Sequence, residues 1–295
     1  MLKLLRLSIA TRFTLAGAAV IAITPLCLSF MPARQSGRSI VIKNVRIFDG
    51  STVIPTGAVI IEGAKIKSVG KSAAPPDGAE IIDGTGHTLL PGLIDSHTHA
   101  YGAALKQAVM FGVTTELDMF SDHRTAVQMR KEQAEGKATN RADLFSAGTL
   151  VTAPGGHGTE YGLKIPTITA PGEAQAFVDA RIDEGSDYIK IVYDDGKSYG
   201  LNIPTVSKET MAAVIASAHK RSKLAVVHIS TLEGARDAIE ADADGLVHIF
   251  SNRASDPGFA RMVAAHRAFV IPTLTVTESV TGVAGGATDD VVLSR

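Results

Sequence analysis

The sequence predicts an α/β protein in which a small β unit precedes a larger parallel barrel. Residues 39–90 contain short alternating β-like runs, and from residue 89 onward apolar strands alternate with amphipathic helical stretches. Repeated strand–helix units favour a parallel sheet. Seven such strands in one run favour a TIM-like (β/α)8 barrel whose eighth strand is missing, preceded by a small N-terminal β-sandwich unit.

Composition limits the classes of function. The chain has 295 residues, of which 45% are hydrophobic, so it can bury a large core. Its 29 basic and 30 acidic residues give a net charge of -1, and no basic stripe interrupts the balance. Nucleic acid is therefore excluded as an expected partner.

Residues 1–36 predict a signal peptide or an N-terminal membrane anchor. Three basic residues in the first twelve positions precede an uncharged stretch at 13–33. A basic start before an apolar core is typical of export signals, and the stretch is also long enough for a single anchor. Both readings export the following domain, so we expect it to be periplasmic, secreted, or anchored to the membrane by this segment alone.

The only cysteine, Cys27, lies inside the export segment. After cleavage the domain would have no thiol, so any metal ion must be held by nitrogen and oxygen ligands.

The small β unit is predicted at 37–88 as one half of a composite sandwich, with antiparallel strands separated by Gly, Asp and Pro turns. The barrel domain is predicted at 89–295 and is incomplete at its C-terminus. Its strands are expected at 89–97, 112–119, 143–151, 187–193, 224–229, 245–250 and 268–276. Its helices are expected at 122–136, 173–184, 207–222, 231–242 and 256–267.

Two histidines follow the first barrel strand in "LLPGLIDSHTHA". Side chains alternate along a strand, so His97 and His99 share a face and can bind one ion together. Taken alone, the pair is more typical of surface or hydrogen-bonded histidines.

Three more nitrogen-bearing residues interrupt later strands. Lys190 lies inside the fourth strand, and His228 and His248 lie near the ends of the fifth and sixth. The alternatives are a salt bridge for Lys190 and a satisfied core position for each histidine. Because barrel chemistry takes place at the C-terminal ends of the strands, the set together predicts a metal site.

The chain resembles the amidohydrolase superfamily, nearest to its imidazolonepropionase-like and Xaa-Pro dipeptidase-like members. The segment "PGLIDSHTHA" and the strand order His-x-His, Lys, His, His carry this resemblance, which covers residues 39–295.

The resemblance implies a ligand set. His97 and His99 bind one zinc ion, Lys190 is carbamylated by CO2 and bridges two metals, and His228 and His248 bind the second metal. We therefore expect two Zn2+ per complete chain, with other divalent metals as alternatives. Such metals activate water at neutral pH and polarise the scissile carbonyl.

The resemblance also exposes a missing part. The family takes its last ligand and general base, an aspartate, from the eighth strand. Asp289 and Asp290 follow the seventh strand in a Gly-rich stretch, and we interpret them as loop residues. We expect a C-terminally truncated sequence that is inactive by itself, the alternatives being a remnant or a non-catalytic metal-binding protein.

Two further residues are candidates for substrate binding. The resemblance suggests that His157, in the Gly-rich "TAPGGHGTEYG", contacts the substrate carbonyl or carboxylate, a catalytic contact, against the alternative of a solvated loop histidine. Tyr193, at the end of the fourth strand, is expected to orient a substrate carboxylate, although its parity is opposite to that of Lys190.

The expected function is metal-dependent hydrolysis of a C–N bond by metal-activated water, as in a dipeptidase or prolidase. Hydrolysis of a lactam, a cyclic imine, an ester or a lactone stays open. The expected partner is a small-molecule or dipeptide substrate, and an oligomer is allowed.

Overall fold

The computed structural model describes residues 39–72 and 74–281. The predicted leader at 1–36 and the late aspartates Asp289 and Asp290 lie outside this range. Within it, no helix is both long and apolar enough to cross a membrane. The chain divides into two compact units between residues 91 and 92.

The first unit is a single five-stranded sheet. Its strands are β1 (Ser39–Phe48), β2 (Val53–Glu62), β3 (Lys65–Gly70), β4 (Glu80–Asp83) and β5 (Thr88–Leu89). β2 pairs antiparallel with β1 and β3, but β4 and β5 pair parallel with β1. The expectation of a wholly antiparallel unit is therefore wrong. The connection from β3 to β4 crosses the sheet from one edge to the other, so β4 runs in the direction of β1.

A hydrophobic cluster of this sheet includes the buried residues Val45, Ile47 and Val59. No second layer is present among the described residues of this unit, so its assignment to a sandwich stays a prediction.

The second unit alternates strands with helices, as the sequence predicts. Its strands are β6 (Leu93–Thr98), β7 (Val113–Asp118), β8 (Asp143–Ser146), β9 (Ile189–Val192), β10 (Ala225–His228), β11 (Gly245–Val247) and β12 (Phe269–Ile271). Its helices are α1 (Ala104–Met110), α2 (His123–Ala134), α3 (Ala174–Asp183), α4 (Lys208–Lys220), α5 (Leu232–Glu240), α6 (Pro257–Ala265) and α7 (Leu274–Thr281).

All neighbouring strands of the second unit are parallel and follow chain order. β6, β7 and β8 form one sheet, and β9 to β12 form another. A parallel bridge between Val151 and Ile191 joins the two. The order is that of seven consecutive barrel strands, whereas closure of the ring and an eighth strand stay predictions.

Four predicted strand boundaries are wrong. The strands expected at 143–151 and 245–250 already end at Ser146 and Val247. The first barrel strand does not begin at residue 89, because Leu89 pairs with Ile47 of β1 and belongs to the first unit. The strand expected at 268–276 ends at residue 271, and helix α7 follows. Pro272 explains this end, since proline has no N–H for a strand ladder.

Helices α4 and α5 fix the orientation of β9 and β10. Their buried side chains pack on one side of these strands, against residues such as Ile189, Ile191 and Val227. Burial of each large aliphatic side chain contributes about 1.5–3 kcal/mol. Because side chains alternate along a strand, Lys190 points to the opposite face. Lys190 pairs with Val226, so His228 shares its face two residues further along β10.

Candidate active site

The four histidines predicted as metal ligands lie together at the C-terminal ends of β6, β10 and β11. The ring centroids of His97 and His99 are 5.6 Å apart, and those of His97 and His248 are 4.6 Å apart. His228 completes the cluster at 4.3 Å from His248. Two imidazoles that share a zinc ion have centroids about 5 Å apart, given Zn–N bonds of about 2.0–2.1 Å. The cluster therefore has the dimensions of a shared metal site.

The four imidazole rings are not arranged as the ligand sphere of a metal ion. In the part of the chain that the structure describes, no group of three or more His, Cys, Asp or Glu side chains is placed to hold a metal ion. Instead the rings pack edge against face, at 68° between His97 and His99 and 66° between His228 and His248. This is the packing that neutral aromatic rings prefer. The four rings lie together without forming a ready ligand sphere, and the ligand roles stay predictions.

Two of these histidines each use one ring nitrogen in a contact with the protein. Nδ1 of His99 lies 3.1 Å from the carbonyl oxygen of Phe120. Nδ1 of His248 lies 2.7 Å from Oγ1 of Thr273. Both contacts leave Nε2 free, and such outer contacts are typical of metal-binding histidines.

His228 uses its other nitrogen. Its Nε2 lies 3.3 Å from Oδ2 of Asp194, a carboxylate that follows β9. Burial acts to raise the pKa of Asp194, but hydrogen bonds from His228, Ser230 and Gly196 together hold it below its ordinary value. The carboxylate is therefore ionised at neutral pH and accepts a hydrogen from the ring.

His97 carries the observation that a bound metal would explain. Its Nδ1 is buried and has no hydrogen-bond partner among the described residues. A buried polar atom left unpaired costs about 1–3 kcal/mol, so it calls for an explanation. Burial, followed by the charge of Lys190, lowers the pKa of His97 to about 2. The ring is neutral, and the lone pair on its unprotonated nitrogen is available to a metal.

Burial acts in the same direction on His228 and His248. Burial lowers the pKa of His228 to about 4, although Asp194 opposes this change. Burial and the neighbouring His228 lower the pKa of His248 as well. Neutral imidazoles on three strands are a donor set that fits zinc or another divalent metal.

The backbone at His248 is unusual. Its φ is +71°, in the left-handed region that favours glycine. The residue holds this conformation directly after β11, where its N–H donates to the carbonyl of Ile271. The turn directs the ring toward the cluster instead of along the strand.

Lys190 lies inside β9 and is only 3% exposed. Among the described residues no side chain forms an ion pair with it. Burial lowers the pKa of its amine to about 7. A large fraction of the amine is then neutral at physiological pH, which is the form that reacts with CO2. The site fits the carbamylation expected of Lys190, which stays a prediction.

His157 lies at the edge of the cluster. Its ring centroid is 5.1 Å from that of His228. Its Nδ1 lies 2.5 Å from Oε1 of Glu160, whose other oxygen accepts the N–H of Gly158. The loop histidine is therefore held by the protein, and its contact with substrate stays a prediction.

Tyr193 is not brought to the cluster. Its hydroxyl donates to Oδ2 of Asp237 at 2.9 Å, and its ring packs on the helix side of the sheet. The expectation that Tyr193 orients a substrate carboxylate is corrected, because its parity carries the side chain to the face opposite Lys190. Burial and the Asp237 carboxylate raise the pKa of Tyr193 to about 12.

Three residues in these contacts were not singled out from the sequence. Asp194 follows β9 within "YDDG", which is typical of a turn. Glu160 lies in the Gly-rich loop, and Thr273 lies in a stretch that predicts a strand. The signal for Asp194 was its position directly after the lysine strand, where the other polar residues of the site occur.

Relatives share parts of this chain. Imidazolonepropionase of Arthrobacter sp. (strain FB24) is 28% identical over 165 residues, which are 56% of this chain and 32% of that protein. Dihydroorotase of Mycobacterium tuberculosis is 42% identical over 62 residues, which are 21% of this chain and 14% of that protein. The matched parts thus span about a third or less of these curated relatives.

Solved structures share the fold. A Xaa-Pro dipeptidase with methionine in its active site matches with a TM-score of 0.69 and 23% identity, over 84% of this chain and 70% of that one. A prolidase from Bifidobacterium longum, described as putative, matches with a TM-score of 0.67 and 24% identity, over 84% and 66%. The family model of the amidohydrolase family matches residues 88–291, well over half of the sequence. The chain belongs to the amidohydrolase family.

Proposed function

We propose that this protein is a metal-dependent hydrolase that cleaves the C–N bond of a small amide, and that its substrate is a dipeptide. The observation that carries the proposal is Lys190, a lysine with a lowered pKa buried on the face that holds four histidines. Burial of an amine that has no ion pair among the described residues lowers the stability of the fold. A role in metal binding would explain why a lysine occupies this position.

The metals would be held by the histidine cluster, with the carbamate of Lys190 between them. The carbamate forms when the neutral amine attacks CO2 and releases one proton. Two Zn2+ bound here would supply Lewis acidity and a water nucleophile that is active at neutral pH. The outer contacts to Phe120, Asp194 and Thr273 hold the rings in place.

His157 is the residue we assign to substrate. Glu160 occupies its Nδ1, so Nε2 is the nitrogen that remains for a carbonyl or carboxylate oxygen. The ring centroid of His157 lies 5.1 Å from that of His228, so one small substrate could contact both rings.

We place a dipeptide first among the candidate amides. The solved structures that share the fold include a Xaa-Pro dipeptidase and a putative prolidase, which supports this choice. The imidazolonepropionase relative supports a cyclic C–N bond as the second candidate. We also propose that the protein acts outside the cytoplasm, because of its basic and then apolar N-terminus.

The test is a substrate panel with zinc-loaded protein, expressed from the complete coding sequence so that any eighth strand is present. Xaa-Pro dipeptides, other dipeptides and imidazolone propionate are compared, with and without a chelator. We expect dipeptide hydrolysis that the chelator abolishes and zinc restores. The control variant is His219→Ala, which removes a surface histidine paired with Asp244 away from the cluster. Folded, zinc-loaded protein that cleaves no C–N bond in the panel overturns the proposal.

A further inference from the structure

His228 differs from the other histidines of the cluster in the partner that it meets. His99 contacts a carbonyl oxygen and His248 a hydroxyl, whereas Nε2 of His228 lies 3.3 Å from a carboxylate oxygen of Asp194. The side chains of His228 and Asp194 are 12% and 7% exposed. Water therefore competes little for this contact.

Asp194 is itself fixed in place. Its Oδ1 accepts the hydroxyl of Ser230 at 2.6 Å and the N–H of Gly196 at 2.9 Å. Its own N–H donates to Oγ1 of Thr205 at 3.0 Å. These contacts hold the carboxylate plane, so Oδ2 is the oxygen left for the ring of His228.

A carboxylate oxygen can only accept a hydrogen. Nε2 of His228 must therefore carry the ring hydrogen, and Nδ1 must carry the lone pair. The hydroxyl of Thr273 imposes no such choice on His248, because a hydroxyl both donates and accepts. Among the four histidines, His228 alone has a carboxylate that selects its tautomer.

We propose that Asp194 is a positioning residue that fixes the tautomer and ring orientation of His228, so that Nδ1 is the nitrogen offered to the metal. The metal part of this inference rests on the proposed function. The tautomer does not, because it exists in the metal-free protein. A carboxylate behind a metal-binding imidazole also makes the ring a stronger donor.

The experiment measures the tautomer and the metal separately. Nitrogen-15 spectra of the histidine rings, recorded on metal-free protein, report which nitrogen of His228 carries the hydrogen. Zinc affinity is measured by competition with a chelating indicator. Asp194→Asn and Asp194→Ala are compared with the matched control Asp195→Asn. The carboxylate of Asp195 pairs with Lys197 and not with His228.

In the wild-type protein and in Asp195→Asn we expect the Nε2–H form. In Asp194→Asn the amide can donate to Nε2, so we expect the Nδ1–H form to become populated, and we expect zinc affinity to fall about 10–100-fold in both Asp194 variants. Thermal unfolding of the metal-free variants separates this loss from a loss of fold.

Two results overturn the proposal: an Nδ1–H form of His228 in the wild-type protein, or an unchanged tautomer in folded Asp194→Asn. Failure of the proposed function would look different. Wild-type protein would then cleave no C–N bond, while the Nε2–H form of His228 and its dependence on Asp194 would still be seen.

Discussion

Oε1 of Glu160 lies 2.5 Å from Nδ1 of His157, and Oε2 of the same carboxylate accepts the N–H of Gly158. One side chain thus holds both the imidazole and the loop that carries it. The loop is rich in glycine, so without this carboxylate the ring would sample many orientations. The pair makes His157 a positioned group beside the cluster.

Replacement of Glu160 should therefore act through His157. We expect Glu160→Ala to lower kcat/KM for dipeptide hydrolysis by about 10–100-fold, because misplacement of a substrate-contacting group raises the barrier. Glu160→Gln, which keeps one acceptor oxygen, should lose less. Steady-state kinetics measures this, with Glu135→Gln at the exposed end of α2 as control. Unchanged kinetics in Glu160→Ala would show that His157 needs no support.

Replacement of Lys190 should separate folding from chemistry. Lys190→Met removes a buried amine but keeps the length of the side chain. We expect metal content and hydrolysis to be lost. The free energy of unfolding of the metal-free protein should stay equal or rise by about 1–3 kcal/mol, because no amine is then buried at position 190. Native mass spectrometry should detect the mass of one CO2 on the wild-type chain only. Full metal content in Lys190→Met would contradict the assignment.

Zinc should stabilise the protein through the cluster. A ligand that binds only the folded state adds about 2.7 kcal/mol when present at 100 times its Kd. We expect zinc to raise the Tm of metal-free wild-type protein and of His219→Ala, and to leave that of a His97→Ala, His248→Ala double variant unchanged. Differential scanning calorimetry checks this. An equal shift in the double variant would place the zinc elsewhere.

The buried Glu116 predicts a dependence of stability on pH. Burial raises its pKa from 4.5, and the carboxylates of Asp95 and Asp118 add to this. A raised pKa in the folded state means that the group's contribution is present below pH 4.5 and is lost as pH rises through the folded value. Glu116→Gln should therefore raise Tm at neutral pH and leave it nearly unchanged below pH 4.5. A larger gain in acid than at neutral pH would reverse the sign and contradict this account.

The hydroxyl of Tyr193 should matter for stability and not for catalysis. Tyr193→Phe removes the hydrogen bond to Asp237, which contributes about 1 kcal/mol. We expect kcat/KM to stay within about twofold of wild type, because the ring lies on the opposite face from Lys190. Chemical denaturation and kinetics measure both effects. A tenfold rise in KM with unchanged kcat would indicate that the hydroxyl of Tyr193 contacts the substrate.

The strand order and the histidine cluster could be predicted because both depend on local pattern. His97, Lys190 and His228 interrupt apolar strands, and parallel strands place their C-terminal ends on one side. The partners of these rings could not be predicted in the same way. Asp194 reaches His228 only after helix α4 has intervened, and it lies in a sequence that is typical of a turn.

Other differences have equally specific causes. The parallel pairing of β4 and β5 depends on a connection that crosses the sheet, which strand alternation does not encode. β12 is short because it ends before Pro272. The sequence predicts a longer strand because the residues on either side of Pro272 favour β structure. The relative orientations of the four imidazole rings could not be predicted either, because they depend on contacts between residues that are far apart in the sequence.

His248 and Lys190 also bear on how mutation acts on this chain. A left-handed backbone costs a residue other than glycine about 1–2 kcal/mol, and a buried amine costs a similar amount. A lineage selected only to stay folded would gain stability from glycine at position 248 and from an aliphatic residue at position 190. Both residues therefore lower the stability of the folded chain, which is the cost expected of the metal site proposed for them.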